Sequence, residues 1–443
     1  MKTDAKSPLL AILLSSTMAW TAAAAEDWPQ FRGPAGDGVS SAAGLPLRWS
    51  DTENVRWKTA IPGRGHSSPV VLGERIWLTT AVDTATEKLA DGGEEMQVAE
   101  QVLLGAVCLD RAGGKLLYHK ELFHLQKPEP VHGLNSYASP TPVVERGRLY
   151  CDFGDFGTVC LDAATGETLW SRRLPVDHKL GPGSSPVLYQ DLLLVVRDGR
   201  DAQYVAALDK KTGEIAWKTD RPPIQADGGD LKKSYSTPLL IDVEGRTQAV
   251  VPGAQWVVSY DPATGKPIWQ VRHGAGYSVA PRPVYEHGLV YICTGGYVAQ
   301  LWAIRVDGQG DVSDTHVAWK ATSQIPLMSS PLLVGQELYI VSDTGVASCL
   351  DALTGQTHWR GRLGGNYAAS PVYADERIYF FSREGKTTAL KPGTELTRLA
   401  ENPIEGAVVA SPAFVDKCIF LRTDSRLYCI GRNTSPREND FAR

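Results

Sequence analysis

The chain has 443 residues, of which 43% are hydrophobic and 21% are charged, so it can bury a core of ordinary globular size. Its formal net charge of −5 excludes the generally basic surface that a nucleic-acid-binding protein needs, and no nucleic-acid partner is expected.

Residues 1–25 have the pattern of a secretory signal peptide. Lys2 and Lys6 precede an apolar run from Leu9 to Trp20, and Ala23 to Ala25 form a small-residue cleavage site before Glu26. An uncleaved N-terminal anchor is the alternative, although the run is short for a membrane-spanning helix. We therefore predict export to the periplasm or the cell exterior, with no transmembrane segment in the mature chain.

Residues 26–48 are rich in Gly and Pro and have no hydrophobic periodicity. They predict an irregular arm on the domain surface, anchored by Trp28 and Phe31. The next segment, about residues 54–58, reads as a single strand that ends in Trp57 and has no hairpin partner before it.

A Ser/Thr-Pro dipeptide followed by apolar residues recurs along the rest of the chain, and a degenerate copy is present at Ala280 to Pro283. The other copies are Ser68-Pro69, Ser139-Pro140, Ser185-Pro186, Thr237-Pro238, Ser330-Pro331, Ser370-Pro371 and Ser411-Pro412. Each copy opens a unit of about four short strands, and the units are mostly 40–52 residues long. This period is typical of the blades of a β-propeller.

The second recurring motif is an Asp-x-x-Thr-Gly turn with Trp eight positions after the Asp. Its four copies are Asp162–Trp170, Asp209–Trp217, Asp261–Trp269 and Asp351–Trp359. A turn of this type between two apolar runs predicts a β-hairpin at the end of each unit.

These repeats predict an all-β fold, a single eight-bladed β-propeller of four-stranded antiparallel blades over residues 49–431. The eighth unit stops after its third strand, so the N-terminal strand near 54–58 should complete the last blade and close the ring. An open array with a spare strand is the alternative. The insertion from Val82 to Gln101 predicts an exposed loop in the first unit, and residues 432–443 predict a disordered tail.

The seven Cys residues contain no metal-binding or redox spacing. Cys108, Cys160, Cys349 and Cys429 recur at one place in their units, which indicates a core position. Cys151 and Cys160 flank the turn Gly154–Gly157 symmetrically, so a disulfide could join them across a hairpin. Two packed free thiols are the alternative at this point.

The Asp-x-x-Thr-Gly…Trp hairpins and the Ser-Pro strands resemble those of the PQQ-like β-propeller repeat family over about residues 27–431. That family includes the quinoprotein alcohol dehydrogenases and the propeller subunit of the outer-membrane barrel-assembly machinery. The segment Asp27 to Pro34 also resembles a subgroup of exported propellers of uncertain activity. The resemblance implies that the repeated Trp docks between neighbouring blades and is structural.

In such a propeller, function lies at the channel end where the entry loop of each blade meets the loop joining its second and third strands. These loops also supply Arg64, Tyr277, Arg422 and Asp424. The predicted ligand-binding residues of this funnel are His66, Asn135, Tyr137, Arg197, Asp198, Tyr235, Trp256, Arg282, Asn366, Tyr367 and Arg383. Arg with Tyr and Trp suits a polar or anionic small ligand, or a peptide. A solvated, charge-balanced rim is the alternative.

The resemblance also raises PQQ with Ca²⁺ as a cofactor. Arg side chains would suit the carboxylates of PQQ, and a divalent metal would need a cluster of oxygen ligands. However, the vicinal Cys-Cys pair of many quinoprotein alcohol dehydrogenases is absent, and no catalytic Asp or metal ligand can be assigned. We therefore expect a non-catalytic binding or scaffold module for a protein partner or polar ligand. A PQQ-dependent oxidoreductase acting on alcohols or sugars is the alternative.

Overall fold

The structure is a computed structural model that describes residues 27–91, 94–274 and 276–432. In these ranges the chain forms β-strands and two short 3-10 helices, Gly154–Phe156 and Gly229–Lys232. The predicted signal peptide lies outside the described residues, as does the predicted tail apart from Arg432.

The strands are numbered in chain order. The first strand is β1 (Val55–Ala60), and blade 1 with a small sheet beside it comprises β2 (Val70–Leu72), β3 (Arg75–Thr84), β4 (Glu87–Asp91), β5 (Glu94–Val98), β6 (Gln101–Asp110), β7 (Leu116–Gln126) and β8 (Val131–His132). Blade 2 comprises β9 (Val143–Glu145), β10 (Arg148–Asp152), β11 (Thr158–Asp162) and β12 (Thr168–Arg172). Blade 3 comprises β13 (Val187–Tyr189), β14 (Leu192–Asp198), β15 (Gln203–Asp209) and β16 (Ile215–Asp220).

Blade 4 comprises β17 (Leu239–Val243), β18 (Arg246–Pro252), β19 (Trp256–Tyr260) and β20 (Pro267–Arg272). Blade 5 and its insertion comprise β21 (Val284–Glu286), β22 (Leu289–Cys293), β23 (Leu301–Arg305), β24 (Gly310–Asp311) and β25 (Val317–Ala321). Blade 6 comprises β26 (Leu332–Val334), β27 (Glu337–Val341), β28 (Val346–Asp351) and β29 (Thr357–Arg362). Blade 7 comprises β30 (Val372–Ala374), β31 (Arg377–Phe381), β32 (Lys386–Lys391) and β33 (Thr397–Pro403). Blade 8 contains β34 (Ala413–Val415), β35 (Cys418–Arg422) and β36 (Arg426–Ile430).

Each blade is an antiparallel meander of four strands, which confirms the predicted fold. Blade 4 also gains β24 as a fifth, parallel strand, with Trp269 opposite Gly310. The eighth blade is completed by β1, which pairs antiparallel with β36 from Val55 opposite Ile430 to Ala60 opposite Arg426. The predicted ring closure by the N-terminal strand is therefore confirmed, and the ladder leaves no open edge at this seam.

The Asp-x-x-Thr-Gly turn is a docking point for the Trp of the preceding blade. The Asp162 carboxylate accepts bonds from the N–H groups of Ala164 and Thr165, which holds the turn. At the next turn, a Cβ on Gly213 would lie 2.5 Å from the ring of Trp170, whose Nε1 donates to the Lys210 carbonyl. Glycine is required there because the indole packs directly on the backbone.

The residue before proline links each blade to the next around the channel. The N–H of Ser68 donates to Thr141 Oγ1, that of Thr141 to Ser185 Oγ, and that of Ser185 to Thr237 Oγ1, at 2.9–3.0 Å. Blades 5 to 8 repeat the pattern from Arg282 through Ser330 and Ser370 to Ser411. In blade 2 the linking residue is Thr141, two positions after the predicted Ser139.

The N-terminal arm is irregular, as predicted, but it does not lie on the surface. Trp28, Arg32 and Leu45 are all buried. The arm bridges to blade 1 through Trp28 and Val71, and its later residues bond blades 6, 7 and 8. It therefore crosses one end of the channel, where the Trp28 ring packs near Phe414 of blade 8 and the Arg32 guanidinium donates to carbonyls of blades 6 and 7.

The insertion in blade 1 is a sheet, so the prediction of an exposed loop from Val82 to Gln101 is wrong. The strands β3 and β6 continue pairing as far as Thr84 opposite Gln101, and the β4–β5 hairpin beyond them pairs with β8. These strands are largely exposed to solvent, so they are acidic and lack the apolar alternation that would have predicted their pairing.

The structure does not support a disulfide between Cys151 and Cys160. In the β10–β11 register Cys160 is opposite Tyr150 and Cys151 is opposite Val159. The two side chains are therefore on opposite faces of the blade, since adjacent positions alternate in direction. The symmetrical spacing of the two cysteines about Gly154–Gly157 does not place them opposite each other, because an odd number of residues connects β10 to β11. The 3-10 helix Gly154–Phe156 lies in this connection. Both thiols are free and buried.

Candidate functional site at the open end of the channel

The open end of the channel holds a basic pocket of about 230 Å³, built from loops of blades 1, 2, 7 and 8. Arg64 and His66 come from the entry loop of blade 1. Arg383 and Arg422 come from the second and third strand region of blades 7 and 8. The entry loops and the second-to-third-strand loops thus meet in one cavity.

Arg422 is the buried cation of the basic pocket, with 2% of its surface exposed. Its Nη1 donates to the carbonyl and the hydroxyl of Ser67, at 3.0 and 2.6 Å, and to the Thr79 carbonyl at 3.0 Å. Within the described residues, its Nε and Nη2 make no hydrogen bond and no carboxylate pairs with it. Burial lowers the pKa of Arg422 to about 9. The guanidinium therefore keeps a positive charge at neutral pH with no protein anion beside it.

His66 is neutral in this environment. Burial lowers its pKa to about 3, and the positive charges of Arg422, Arg383 and Arg64 act in the same direction. Arg64 is paired with Asp83. Asp424, the other carboxylate of the pocket, accepts the N–H of Ala407 at 3.2 Å. Arg383 and Arg422 therefore form no ion pair with a carboxylate among the described residues, although the charge of Arg383 acts on Asp343.

A second, mostly apolar cavity of about 470 Å³ lies beside the basic pocket. Asn135 and Leu134 line both cavities. The far wall carries Tyr277 and Tyr297, whose rings meet edge to face with centroids 5.8 Å apart. We call the set Tyr235, Tyr277, Tyr297, Leu327 and Met328 the aromatic patch. Tyr297 is 94% exposed, which is unusual for a side chain of this size.

Five of the predicted residues line these cavities: His66, Asn135, Tyr137, Tyr235 and Arg383. Asn135 is held in place because its Nδ2 donates to the carbonyls of Leu180 and Pro182. The hydroxyl of Tyr235 donates to the His178 carbonyl at 3.2 Å. Their contacts orient polar and aromatic groups toward one opening. A role in ligand binding stays a prediction.

Arg197 and Asp198 were predicted to face the funnel, and the structure corrects this. Arg197 pairs with Asp152 at 2.7 Å, and both side chains are 1% exposed. Asp198 pairs with Arg221 at 2.7 Å, again fully buried. Both side chains are thus used in bridges inside the ring.

The structure also corrects the prediction for Arg282. This residue lies at the end of the channel that the N-terminal arm crosses, which we call the closed end. Its Nε donates to the Pro238 carbonyl at 3.1 Å, and its Nη1 donates to the Phe31 carbonyl of the arm at 2.5 Å. It takes the place of the linking Ser or Thr in blade 5. The guanidinium is 1% exposed and braces the arm.

Trp256, Asn366 and Tyr367 do not line the two cavities either. The Trp256 indole donates to the Pro223 carbonyl and stacks with Arg272. Asn366 is bonded to Glu384, and Tyr367 is 1% exposed in the core between blades 6 and 7. The sequence indicated the correct loops but not the direction of each side chain.

The residues that prediction left out of the site are Arg64, Arg422 and the members of the aromatic patch other than Tyr235. Arg64, Tyr277 and Arg422 stand in the loops that the repeat pattern selects. Tyr297 had one available signal, which is an aromatic residue in the Gly-rich loop between β22 and β23.

The donor set of the funnel fits only part of a PQQ site. Arg383 and Arg422 would suit carboxylates, but the described residues contain no group of three or more His, Cys, Asp or Glu side chains that could hold a metal ion. The residues therefore do not fit PQQ with Ca²⁺ as a unit. In the ranges that the structure covers, no helix has the length and apolarity needed to cross a bilayer.

The fold and its repeats define an eight-bladed β-propeller of PQQ-like repeats. The model of the family described as "Outer membrane protein assembly factor BamB" matches residues 104–306 and 310–435. The chain belongs to this family.

Two curated relatives match part of the chain. The outer membrane protein assembly factor BamB of Legionella pneumophila is 25% identical over 214 residues, 48% of this chain and 51% of that protein. The tetrathionate hydrolase of Acidithiobacillus ferrooxidans is 24% identical over 198 residues, 41% of this chain and 36% of that protein. The chain thus spans about half or less of the length of these relatives.

Solved structures show the same fold at low identity. BamB from Moraxella catarrhalis has a TM-score of 0.53 and 13% identity, covering 80% of this chain and 98% of that one. Quinohemoprotein alcohol dehydrogenase from Comamonas testosteroni has a TM-score of 0.63 and 11% identity, covering 94% of this chain and 82% of that one. BamB and an alcohol dehydrogenase share this propeller, so the fold leaves the function open.

Proposed function

We propose that this chain is an exported binding module that recognises a protein partner at the open end of its channel. The contacting segment of the partner presents a carboxylate to the basic pocket and apolar side chains to the aromatic patch. Export rests on the signal-like residues 1–25, and the protein partner on membership in a family described as an assembly factor.

The observation that carries this proposal is the unbalanced charge of Arg422. A buried cation without a counterion is costly, and an anionic ligand that bonds its free Nη2 and Nε would recover that cost. Arg383 adds a second guanidinium to the same pocket, and no carboxylate of the described residues forms an ion pair with it. A carboxylate suits both arginines because a guanidinium group binds a carboxylate in bidentate geometry.

The aromatic patch supports a partner larger than a simple anion. Tyr297 is 94% and Val298 is 74% exposed, and Leu327 and Leu134 are about two-fifths exposed. Exposed apolar groups rimmed by polar ones are typical of protein interfaces. The basic pocket alone would bind a small anion, whereas both together suit an acidic segment with apolar neighbours.

The test is capture from an envelope extract by the immobilised mature chain, with quantitative mass spectrometry of bound proteins. Arg422→Gln and Tyr297→Ser should each reduce capture of the same protein about tenfold or more, as hot-spot contacts do. Lys266→Gln is the matched control, because Lys266 is exposed in an Asp-x-x-Thr-Gly turn away from the funnel. If folded Arg422→Gln and Tyr297→Ser proteins capture as the wild type does, the funnel is not the binding face.

A PQQ-dependent oxidoreductase acting on alcohols or sugars is the second candidate, favoured by the two arginines that would suit the cofactor carboxylates. Its test is titration of the purified chain with PQQ and Ca²⁺, followed by dye reduction with alcohols. Quinone binding that is lost in Arg422→Gln, together with alcohol-dependent dye reduction, would replace the first proposal. Absence of quinone binding at high micromolar cofactor would remove the second.

A further inference from the structure

Two cysteines are neighbours in the blade that closes the ring. Cys418 begins β35 and Cys429 lies on β36. Phe420 is opposite Cys429 in the register, so Cys418, two residues earlier, is on the same face and diagonal to Cys429. Both residues line one cleft. No sequence spacing indicated this pair, because the register alone brings it together.

The pair opens into a cleft of about 390 Å³ between blades 8 and 1, at the end of the blades opposite to the funnel. Cys418 is 7% and Cys429 is 2% exposed, whereas each of the other five cysteines is at most 1% exposed. The cleft is also lined by Phe420, whose ring centroid lies 5.9 Å from that of Trp57 on the closing strand. A small reagent that fits the cleft therefore reaches this pair before any other thiol.

The cleft carries more positive than negative charge near the pair. Arg56 projects from β1, Arg111 from the β6–β7 turn, and Lys417 from the turn before Cys418. Glu74 and Asp416 both pair with Arg111, at 2.8 and 3.2 Å. The Cys418 thiol therefore faces these charged groups and Cys429.

The pKa values of the two thiols are shifted in opposite directions. The interaction with the Cys429 thiol and the charges of Arg56 and Arg111 lower the pKa of Cys418, whereas the interaction with Cys418 and burial raise the pKa of Cys429. Burial raises the pKa of Cys108, Cys151, Cys160, Cys293 and Cys349. A thiolate is the reactive form in exchange chemistry.

We propose that Cys418 and Cys429 form a thiol–disulfide exchange site whose substrates are small anionic disulfides. The Cys418 thiolate attacks one sulfur of R–S–S–R, forming a Cys418–S–S–R bond and releasing one R–S⁻. Cys429 then loses its proton and attacks the Cys418 sulfur, forming the Cys418–Cys429 disulfide and releasing the second R–S⁻. Two protein thiols are oxidised and one small disulfide is reduced to two thiols, so the exchange needs no other oxidant.

The anionic substrate class follows from the charges in the cleft. Arg56 and Lys417 have no ion pair with a carboxylate among the described residues, so a carboxylate-bearing disulfide gains attraction that a neutral one lacks. Diagonal strand neighbours lie about 7–8 Å apart, more than the usual disulfide span, so the second step must draw β35 and β36 together locally. The mixed disulfide should therefore form faster than the internal one.

The experiment uses the full mature chain and oxidised glutathione, with cystamine as the cationic comparison, and peptide mass spectrometry. The wild type should form a Cys418–Cys429 linkage that dithiothreitol reverses. Cys429→Ser should instead hold a glutathione adduct on Cys418. Glutathione should react at least several times faster than cystamine, and Arg56→Gln should reduce that preference.

Cys349→Ser is the control variant, because this buried cysteine lies in blade 6 and should leave the exchange unchanged. Alkylation of Cys418 in native protein should show a midpoint pH below the ordinary thiol value of 9.0. The proposal is overturned if folded wild type gives no Cys418–Cys429 linkage, or if Cys429→Ser carries its adduct on another cysteine. Equal rates for the anionic and cationic disulfides would overturn the substrate class.

Discussion

The two ends of the channel use buried arginines in different ways. At the closed end, Arg32 and Arg282 donate to carbonyls of the arm and of blades 4, 6 and 7. At the open end, Arg422 donates through Nη1, and its other donors have no partner among the residues that the structure describes. The difference teaches that burial of a charge does not by itself indicate function. The distinguishing feature is whether the N–H donors of the buried arginine are already hydrogen-bonded within the protein.

The largest effect is expected at the closed end. Replacing Arg282 with Ala leaves two carbonyls without donors and opens a void under the arm, so the free energy of unfolding should fall by about 3 kcal/mol or more. Urea denaturation of both proteins measures this. If Arg282→Ala does not fold, Arg282→Lys keeps the charge and should still lose stability. A loss below about 1 kcal/mol would contradict the view that Arg282 stabilises the closed end.

An effect spread over several pH units is expected from His66 at the open end. Its folded pKa, about 3, is below the unfolded value of 6.5, so the unfolded chain takes up protons first as the pH falls. The free energy of unfolding should therefore decrease from pH 6.5 downward, with a His66 contribution of at most about 1.4 kcal/mol per pH unit.

The measurement for His66 is the slope of unfolding free energy against pH between 6.5 and 4. His66→Gln should flatten that slope, whereas His358→Gln, which changes an exposed histidine on β29, should leave it as in the wild type. An unchanged slope in His66→Gln would mean that burial and the arginines do not lower the pKa of this imidazole in the folded protein.

The smallest effect on stability is expected from Arg383. No carboxylate in the described part of the chain pairs with its guanidinium, so Arg383→Gln should change the free energy of unfolding by less than about 0.5 kcal/mol. The same urea series measures it. A loss comparable to that of Arg282→Ala would show that the open end is braced like the closed end and is not free for a ligand.

Much of the fold was predictable because it depends on local and repeated chemistry. Pro before each first strand, Gly in each Asp-x-x-Thr-Gly turn and the Trp that docks on the next blade are all visible in the sequence, and the missing fourth strand showed where the ring closes. About half of the predicted site residues line the cavities. The others, such as Arg197, stand in the correct loops but point into buried ion pairs.

The spacing of turn and packing residues is enough to predict the propeller, its eight blades and the strand that closes it. The direction of each buried charge, the path of the arm across the channel and the proximity of Cys418 to Cys429 depend on contacts between distant parts of the chain. The physical reason is that a repeat specifies backbone geometry. A side chain's partner is fixed by strand register and by neighbours that are distant in sequence.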